Sequence, residues 1–572
     1  MADTDAQTEH AASPGAASTD VVIVGAGPTG LMAAALLARC GVSCRILDKS
    51  ETAAHESRAF GVQAKSLELF LNMGLDQAVL DKGLIATGVQ VYVDGKQAAE
   101  ANFDDIGPAD TPYSYILMVP QSDIEAILAE DVARHGISIE RGVEVTGFEQ
   151  SAIGVTVHAK TKSGETFDVG AAYVIGADGA HSVMRHKLGL SFDGAPYPQG
   201  FLLADCKIEW PFDYDHVKVF LHGRNMAVYL PLRGKDTCRV IAIDPIKTDL
   251  HAPVEQQGSS ELHFEEIQEA FAEASGLDVK LSDPTWTSRY HVHHRAVNRY
   301  RQGRVFVAGD AAHIHSPAGG QGMNTGLQDA ANLAWKLALR IKGHARDKLL
   351  DTYHEERWPV GQNVLKTTDR MFSNMTVQSD LASKLRNFFV PIVFTILTKS
   401  RWFRARAFHF LSQLAIHYEP NDFLLDRFAD AKPSGATNAA TGAGRRAPGA
   451  SIGKDLSIFD LIKDYRFHVV ALSRKSLNRE EIESIGDQLA SLPKSVGIPL
   501  ETHLIAHSLI GRDPRLHRAE SSEVFDTYGV THAQPQALFL IRPDGYIAFR
   551  ADSFDIAGLQ DFLASRFGAI SA

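Results

Sequence analysis

Residues 21–30 read VVIVGAGPTG, an unbroken apolar run followed by three spaced glycines. Gly25, Gly27 and Gly30 form the pattern G-x-G-x-x-G after a predicted strand and before a predicted helix. Each glycine has its own physical task. The first permits a tight turn, the second lets backbone approach a pyrophosphate, and the third lets the helix pack closely. Pro28 opens a helix predicted over residues 28–39, whose unpaired amides and local field suit a phosphate. Residues 43–47 read as the next strand. Asp48 follows it, placed to accept hydrogen bonds from an adenosine ribose, with Lys49 beside it in the cofactor-binding set. This unit predicts an α/β dinucleotide fold without separating FAD from NAD.

Two later stretches make that separation. One is VIGADGAHSVMR, residues 174–185, with Asp178, Gly179, Ser182 and Arg185. The other is GRVFVAGDAAHIHSPAGGQGMNTG, residues 303–326. In it Asp310 follows a strand and is placed to bind a hydroxyl-rich chain. The glycines let backbone approach a flat ring. A helix predicted over residues 326–340 can aim amide donors at developing negative charge.

Between these motifs the pattern changes. Residues 201–208, 217–221, 226–230 and 237–243 predict a mostly antiparallel layer inserted between two pieces of the nucleotide-binding unit. Residues 351–425 are helical in tendency. Residues 432–449, KPSGATNAATGAGRRAPG, have the composition of a linker or exposed loop. Residues 451–572 read as a small α/β domain, with strands at 467–472, 537–541 and 546–550 and a closing helix at 556–566.

Composition narrows the partners. Lys and Arg total 57 against 69 Asp and Glu, a formal charge of -12, which argues against nucleic acid. The four cysteines form no C-x-x-C pair, and no metal site is expected. The first 19 residues lack the basic start and apolar core of a secretory signal. No stretch of about 20 uninterrupted apolar residues occurs, so a cytoplasmic protein without membrane partners is expected. Residues 388–397, FFVPIVFTIL, are apolar but short and predict a buried helix or a dimer contact ahead of contact with a membrane surface.

The three motifs together resemble those of the single-component flavoprotein aromatic hydroxylases over residues 21–385. That group includes para-hydroxybenzoate, phenol, hydroxyphenylpropionate and polyketide hydroxylases. The resemblance implies an FAD-binding fold of the para-hydroxybenzoate hydroxylase type with an inserted mixed β-sheet substrate domain. ALFLIRPDGYIAFR, residues 537–550, resembles the thioredoxin-like C-terminal domain of many phenol hydroxylases. With no cysteine there, thiol exchange is excluded. The implied boundaries are a flexible tail at 1–19, the FAD-binding domain at 20–190 and 296–390, and the substrate domain at 191–295. A helical connection at 391–430, a linker or loop at 431–450 and the terminal domain at 451–572 complete them.

The resemblance assigns Gly25, Gly27, Pro28 and Gly30 to the FAD pyrophosphate region, and Asp48 to the ribose. It places Arg58 near the FAD phosphates and Gln121 against the flavin. Asp178 and Arg185 serve both FAD and NAD(P)H use. Gly309 and Asp310 bind the ribityl and pyrophosphate region. Gly320, Gly322, Met323 and Asn324 lie beside the isoalloxazine, and the Pro317 carbonyl faces the reaction space. The implied chemistry is reduction of FAD by NADH or NADPH, formation of a C4a-hydroperoxide with dioxygen, and hydroxylation of a phenolic ring, in a homodimer.

The phenol-activating base is open. Some relatives carry an acid or histidine after the position of Ala59, where this chain has Phe60. Tyr115, His222, Tyr229 and His293 are the leading candidates, with His55 and Tyr113 behind them. Arg289 or Arg295 could neutralise an acidic substituent. Three competing functions remain: a polyketide or antibiotic-modifying hydroxylase, a non-oxygenating FAD oxidoreductase, and an FAD-bearing structural or regulatory protein.

Overall fold

The computed structural model describes residues 18–53, 60–102, 110–244, 262–315, 319–375, 379–428, 441–507 and 513–567. The run that opens the sequence forms the strand Ser18–Val24. It lies between two parallel neighbours, Cys44–Asp48 and Thr166–Gly176. Val305–Val307 extends the same parallel layer beyond Thr166–Gly176. Four separate segments therefore share one sheet, and the paired residues at its centre, Val21–Val24, Ile46, Leu47, Val174–Gly176 and Val305–Val307, are buried, as parallel strands require. The helix Pro28–Arg39 packs against this layer, and Gly322–Ile341 packs on Pro28–Arg39. The second helix begins at Gly322, one turn before the start read from sequence. Its first turn, GMNT, carries no apolar periodicity that would reveal it.

A second sheet has eight strands and is mostly antiparallel. Phe192–Glu209 and Lys280–Val297 form its longest pair. Gly88–Val93 joins it in parallel with His216–His222. Period-two alternation gives this sheet two distinct faces. Leu202, Phe220, Ala227, Tyr229 and Val240 pack toward the helix Phe264–Ser275. Phe201, Leu221, Met226, Ile241 and Tyr290 gather on the opposite face.

The C-terminal sheet is ordered Leu425–Arg427, Ile547–Ala551, Gln536–Ile541, Phe467–Ser473, Leu500–Ala506, Leu516–Arg518. This layer docks on the helices Gly322–Ile341 and Lys348–Met375 through both carbon and charge. Trp335 meets Phe467 edge-on, with ring centroids 5.4 Å apart. Beneath that contact, Arg542 forks onto Glu356 with bonds of 2.8 and 2.9 Å, and Lys336 donates to the same carboxylate at 2.8 Å. Residues 441–450, read from composition as an exposed loop, are packed instead. Arg446 among them is buried and donates to Glu68 at 2.8 Å and Asp110 at 2.6 Å. The rest of that stretch lies outside the described residues.

The apolar segment at 388–397 falls in the helix Asp380–Lys399. By length and composition alone this helix could cross a membrane. The buried-helix expectation fails, since Phe388 and Ile396 are each 63% exposed. Its start is tied to the second sheet, where Asp380 accepts from Arg224 at 2.6 Å and Arg386 donates to Gly223 O at 2.8 Å.

Burial pushes the Glu356 carboxyl upward, but Arg542 and Lys336 outweigh it and hold it well below the usual range. A depressed carboxylate contributes stability above its unfolded pKa of about 4.3 and loses that contribution as the pH falls further. Arg542→Ala should strip Glu356 of its main partner and lower unfolding stability by about 3–5 kcal/mol at pH 7. Chemical denaturation checks this, and the deficit should shrink in acid.

Candidate active site

The glycine turn is held by sterics before any ligand is considered. Gly25 has φ +103°, and a Cβ there would fall on the Ala177 carbonyl. A Cβ on Gly30 would fall on the Gly25 carbonyl. Gly27 differs, because a Cβ there would meet nothing within 4 Å. Two glycines thus serve the fold, and the middle one keeps open the space that a pyrophosphate needs. The helix that follows has no side-chain cap and no acid in its first turn, so its amides stay available to an anion. Asp48 accepts from Ala26 N at 2.6 Å and Ser50 N at 2.7 Å, pinning the turn to the end of the second strand. Lys49 is exposed beside it.

The first and third motifs interlock at Thr29. A Cβ on Gly309 would lie 2.5 Å from Thr29 Oγ1, and one on Gly326 would collide with the same atom. Asp178 ties the second motif together. It accepts from Ser182 Oγ and from Met184 N, while Ser182 caps the short helix Val183–Lys187 by accepting from Arg185 N at 2.9 Å. Arg185 lies 3.8 Å over the Phe192 ring. It donates to Ala180 O at 2.7 Å and Ala311 O at 3.2 Å, joining the second motif to the third. Asp310 sits exposed in a single 3₁₀ turn after Val305–Val307.

The start of Gly322–Ile341 is fixed by Asn324. Its amide donates to Gly61 O at 2.9 Å and Gly320 O at 2.8 Å, and its oxygen accepts from Gln63 N at 2.9 Å. Gly320 takes φ +61° above the Phe60 carbonyl. Met323 is buried, and Gly322 faces the His315 ring. This helix also has no side-chain cap or acid in its first turn. Gln121 opens the helix Gln121–Arg134 and donates to Glu125 at 2.8 Å. Arg58, His55 and Pro317 lie outside the described residues.

Sequence reading missed two features here. Asp329 is fully buried and accepts from Gly309 N at 3.2 Å and Arg357 Nε at 2.8 Å, with His313 Nε2 at 2.7 Å. Burial raises its carboxyl, but Arg357 and His313 prevail and keep it low, so the glycine turn rests on a fixed negative charge. The second is Arg239, 1% exposed, which forks onto Asp205 at 2.6 and 2.8 Å. Its guanidinium lies 4.6 Å from the Phe60 ring centroid and 5.2 Å from that of Trp286. Its Nη1 has no hydrogen-bond partner among the described residues. Phe60 links the two halves, with its carbonyl under Gly320 and its ring under Arg239. A lone arginine in the alternating strand TCRVIAI was the available signal.

The structure removes two proposed bases from this space. Tyr229 points to the opposite face of the sheet, 4.4 Å from the Trp210 ring and under Lys218. His222 ends its strand at the surface, its side chain 46% exposed and 2.9 Å from Asp94. Arg289 is committed to Asp244 at 2.8 Å and Glu266 at 2.6 Å. His293 is half-buried opposite Pro196, where the strand register shifts. Tyr115 packs edge-on to Tyr113, 6.2 Å away, whose hydroxyl bonds Asp76.

Residues 18–368 match the model of the FAD binding domain, and residues 440–569 match that of the aromatic-ring hydroxylase C-terminal domain. The chain belongs to the FAD-dependent aromatic-ring monooxygenases. Within this family it is 30% identical to pentachlorophenol 4-monooxygenase of Sphingobium chlorophenolicum, over 94% of this chain and 95% of that protein. It is 36% identical to 6-methylpretetramide 4-monooxygenase of Streptomyces rimosus, over 71% of each. The structure of the anhydrotetracycline hydroxylase from Streptomyces rimosus superposes with a TM-score of 0.70 at 29% identity, covering 97% of this chain and all of that one. The cradle fits the family's FAD, because the open space at Gly27 and the two uncapped helix starts face groups that an anionic cofactor would satisfy.

Two substitutions separate fold from ligand. Gly27→Ala should leave apoprotein stability within about 0.5 kcal/mol, as at an open site, yet weaken FAD binding. Gly30→Ala should destabilise the apoprotein itself by about 1–3 kcal/mol through overpacking. Denaturant titration and flavin fluorescence read the two effects.

Proposed function

We propose that this monooxygenase uses NADH or NADPH to hydroxylate a phenolic ring held between Arg239 and the segment 319–324. The observation that carries the reading is Arg239 Nη1, which has no hydrogen-bond partner among the described residues and lies above Phe60, on the sheet face that also presents Phe201 and Tyr290. An aromatic wall stacks on a ring, and a buried guanidinium N–H donates to its oxygen. That donor favours the phenolate, the electron-rich form that attacks an electrophilic oxygen. Asp205 holds the guanidinium in place and leaves the third donor for substrate. Bound FAD would supply the redox chemistry, taking electrons from the nicotinamide and activating dioxygen. Asp48, Asp310 and the amides at Gly27 and Gly322 would bind it, and Asp178 and Arg185 would brace the loops around it.

Relatives named for tetracycline precursors favour a second reading, a larger polycyclic phenol as substrate. Cytoplasmic residence fits the four free cysteines. A homodimer fits the exposed apolar face of Asp380–Lys399, and sedimentation of the purified enzyme reads that state.

Anaerobic stopped-flow reduction with each nicotinamide, across simple and polycyclic phenols, tests the proposal. A substrate should accelerate flavin bleaching and gain one oxygen when air is admitted. Indifference to every phenol would count against the reading. Arg239→Lys keeps a charge for Asp205 but loses the fork and its third donor. It should lower kcat/KM about 10–100-fold, the cost of about 1.5–3 kcal/mol for a charged hydrogen bond, with FAD affinity unchanged.

A further inference from the structure

Three histidines line one face of the C-terminal sheet, away from the flavin cradle. Strand pairing puts His468 opposite Glu501, and His503 follows Glu501 on the same face. His517 joins them from the edge strand, opposite Ile505. His468 and His503 are buried, while Glu501 is partly open. His468 Nδ1 and His503 Nε2 face each other at 3.4 Å.

The outer nitrogen of each ring has a polar neighbour. His468 Nε2 lies 2.8 Å from Asp464 Oδ1, and His503 Nδ1 lies 3.3 Å from His517 Nε2. A carboxylate beside Nε2 favours the proton there and leaves the Nδ1 lone pair of His468 facing inward. If His503 donates outward to His517, its Nε2 lone pair faces inward too. Two lone pairs then oppose each other in a buried space, which repels unless a cation sits between them. Zinc bonds imidazole nitrogen at about 2.0–2.1 Å, so two tetrahedral ligands stand about 3.4 Å apart. The observed separation matches. The Glu501 carboxylate completes a group whose ligand atoms all lie within 4.8 Å of one another. Arg466 holds both acids from outside, at 2.9 Å to Glu501 and 3.2 Å to Asp464.

We propose that His468 Nδ1, His503 Nε2 and Glu501 form a divalent-cation site of the zinc type, with Asp464 and His517 as its outer partners. Its role is structural. It staples two adjacent strands of a domain that has no cysteine, and through His517 it steadies the third. A water molecule takes the remaining position.

The test uses the tag-free holoenzyme, stripped with a chelator and re-equilibrated with zinc sulfate. Mass-spectrometric metal analysis should find about one zinc per chain, and the thermal midpoint should rise with zinc. Cobalt loading should give the visible bands of a tetrahedral site. His468→Gln and His503→Gln should each lose the bound metal while keeping FAD absorbance, which shows that they are folded. His216→Gln should keep it, because Asp213, Asp215 and His216 form the other candidate metal group among the described residues. Failure of the wild-type enzyme to retain zinc, or undiminished zinc in His503→Gln, would overturn the proposal. Zinc lost only in His216→Gln would overturn it as well.

Discussion

Thr29 reaches into a gap that exists because Gly309 and Gly326 carry no side chains. The first glycine motif meets the third there, across 280 residues of intervening chain. Gly25 meets the second motif in the same way, with its hydrogen against the Ala177 carbonyl. Three loops from separate parts of the chain thereby share one closely packed rim. The open space at Gly27 has a defined shape only because its neighbours are closed.

Charge then fixes what sterics have brought together. Asp329 receives the Gly309 amide on one oxygen and the Arg357 guanidinium on the other. Glu356, one residue before Arg357 on the same helix, turns outward to Arg542 of the C-terminal domain. Adjacent residues thus anchor the flavin rim and the distant sheet. Buried pairs of this kind are costly to break, because removing one partner strands the other in a dry interior. The cysteine-free C-terminal domain is therefore part of the scaffold under the cradle rather than an appended redox unit.

Much of this was legible in the sequence where the controlling physics is local. The strand, turn and helix at residues 21–39 follow from glycine sterics and apolar periodicity, and the structure agrees closely. The alternating strands of the second sheet were also readable, but not which face meets the cradle. Tyr229 and Arg239 show the consequence. Both lie in clear period-two strands, and only the position of the helix Phe264–Ser275 decides that one faces away and the other inward. The pairing of Glu356 with Arg542 was not readable, because the two are 186 residues apart and meet only by domain docking. Packing of residues 441–450 was hidden for the same reason, since their composition matches a loop and their burial is a tertiary fact.

In the proposed function, this scaffold directs one atom of dioxygen onto a phenolic ring. Turnover under ¹⁸O₂, with FAD, the preferred nicotinamide and the phenol that most accelerates flavin reduction, addresses it directly. Each product molecule should carry one ¹⁸O atom on the ring. Nicotinamide consumed with only labelled peroxide formed, or product oxygen that comes from water, would contradict it.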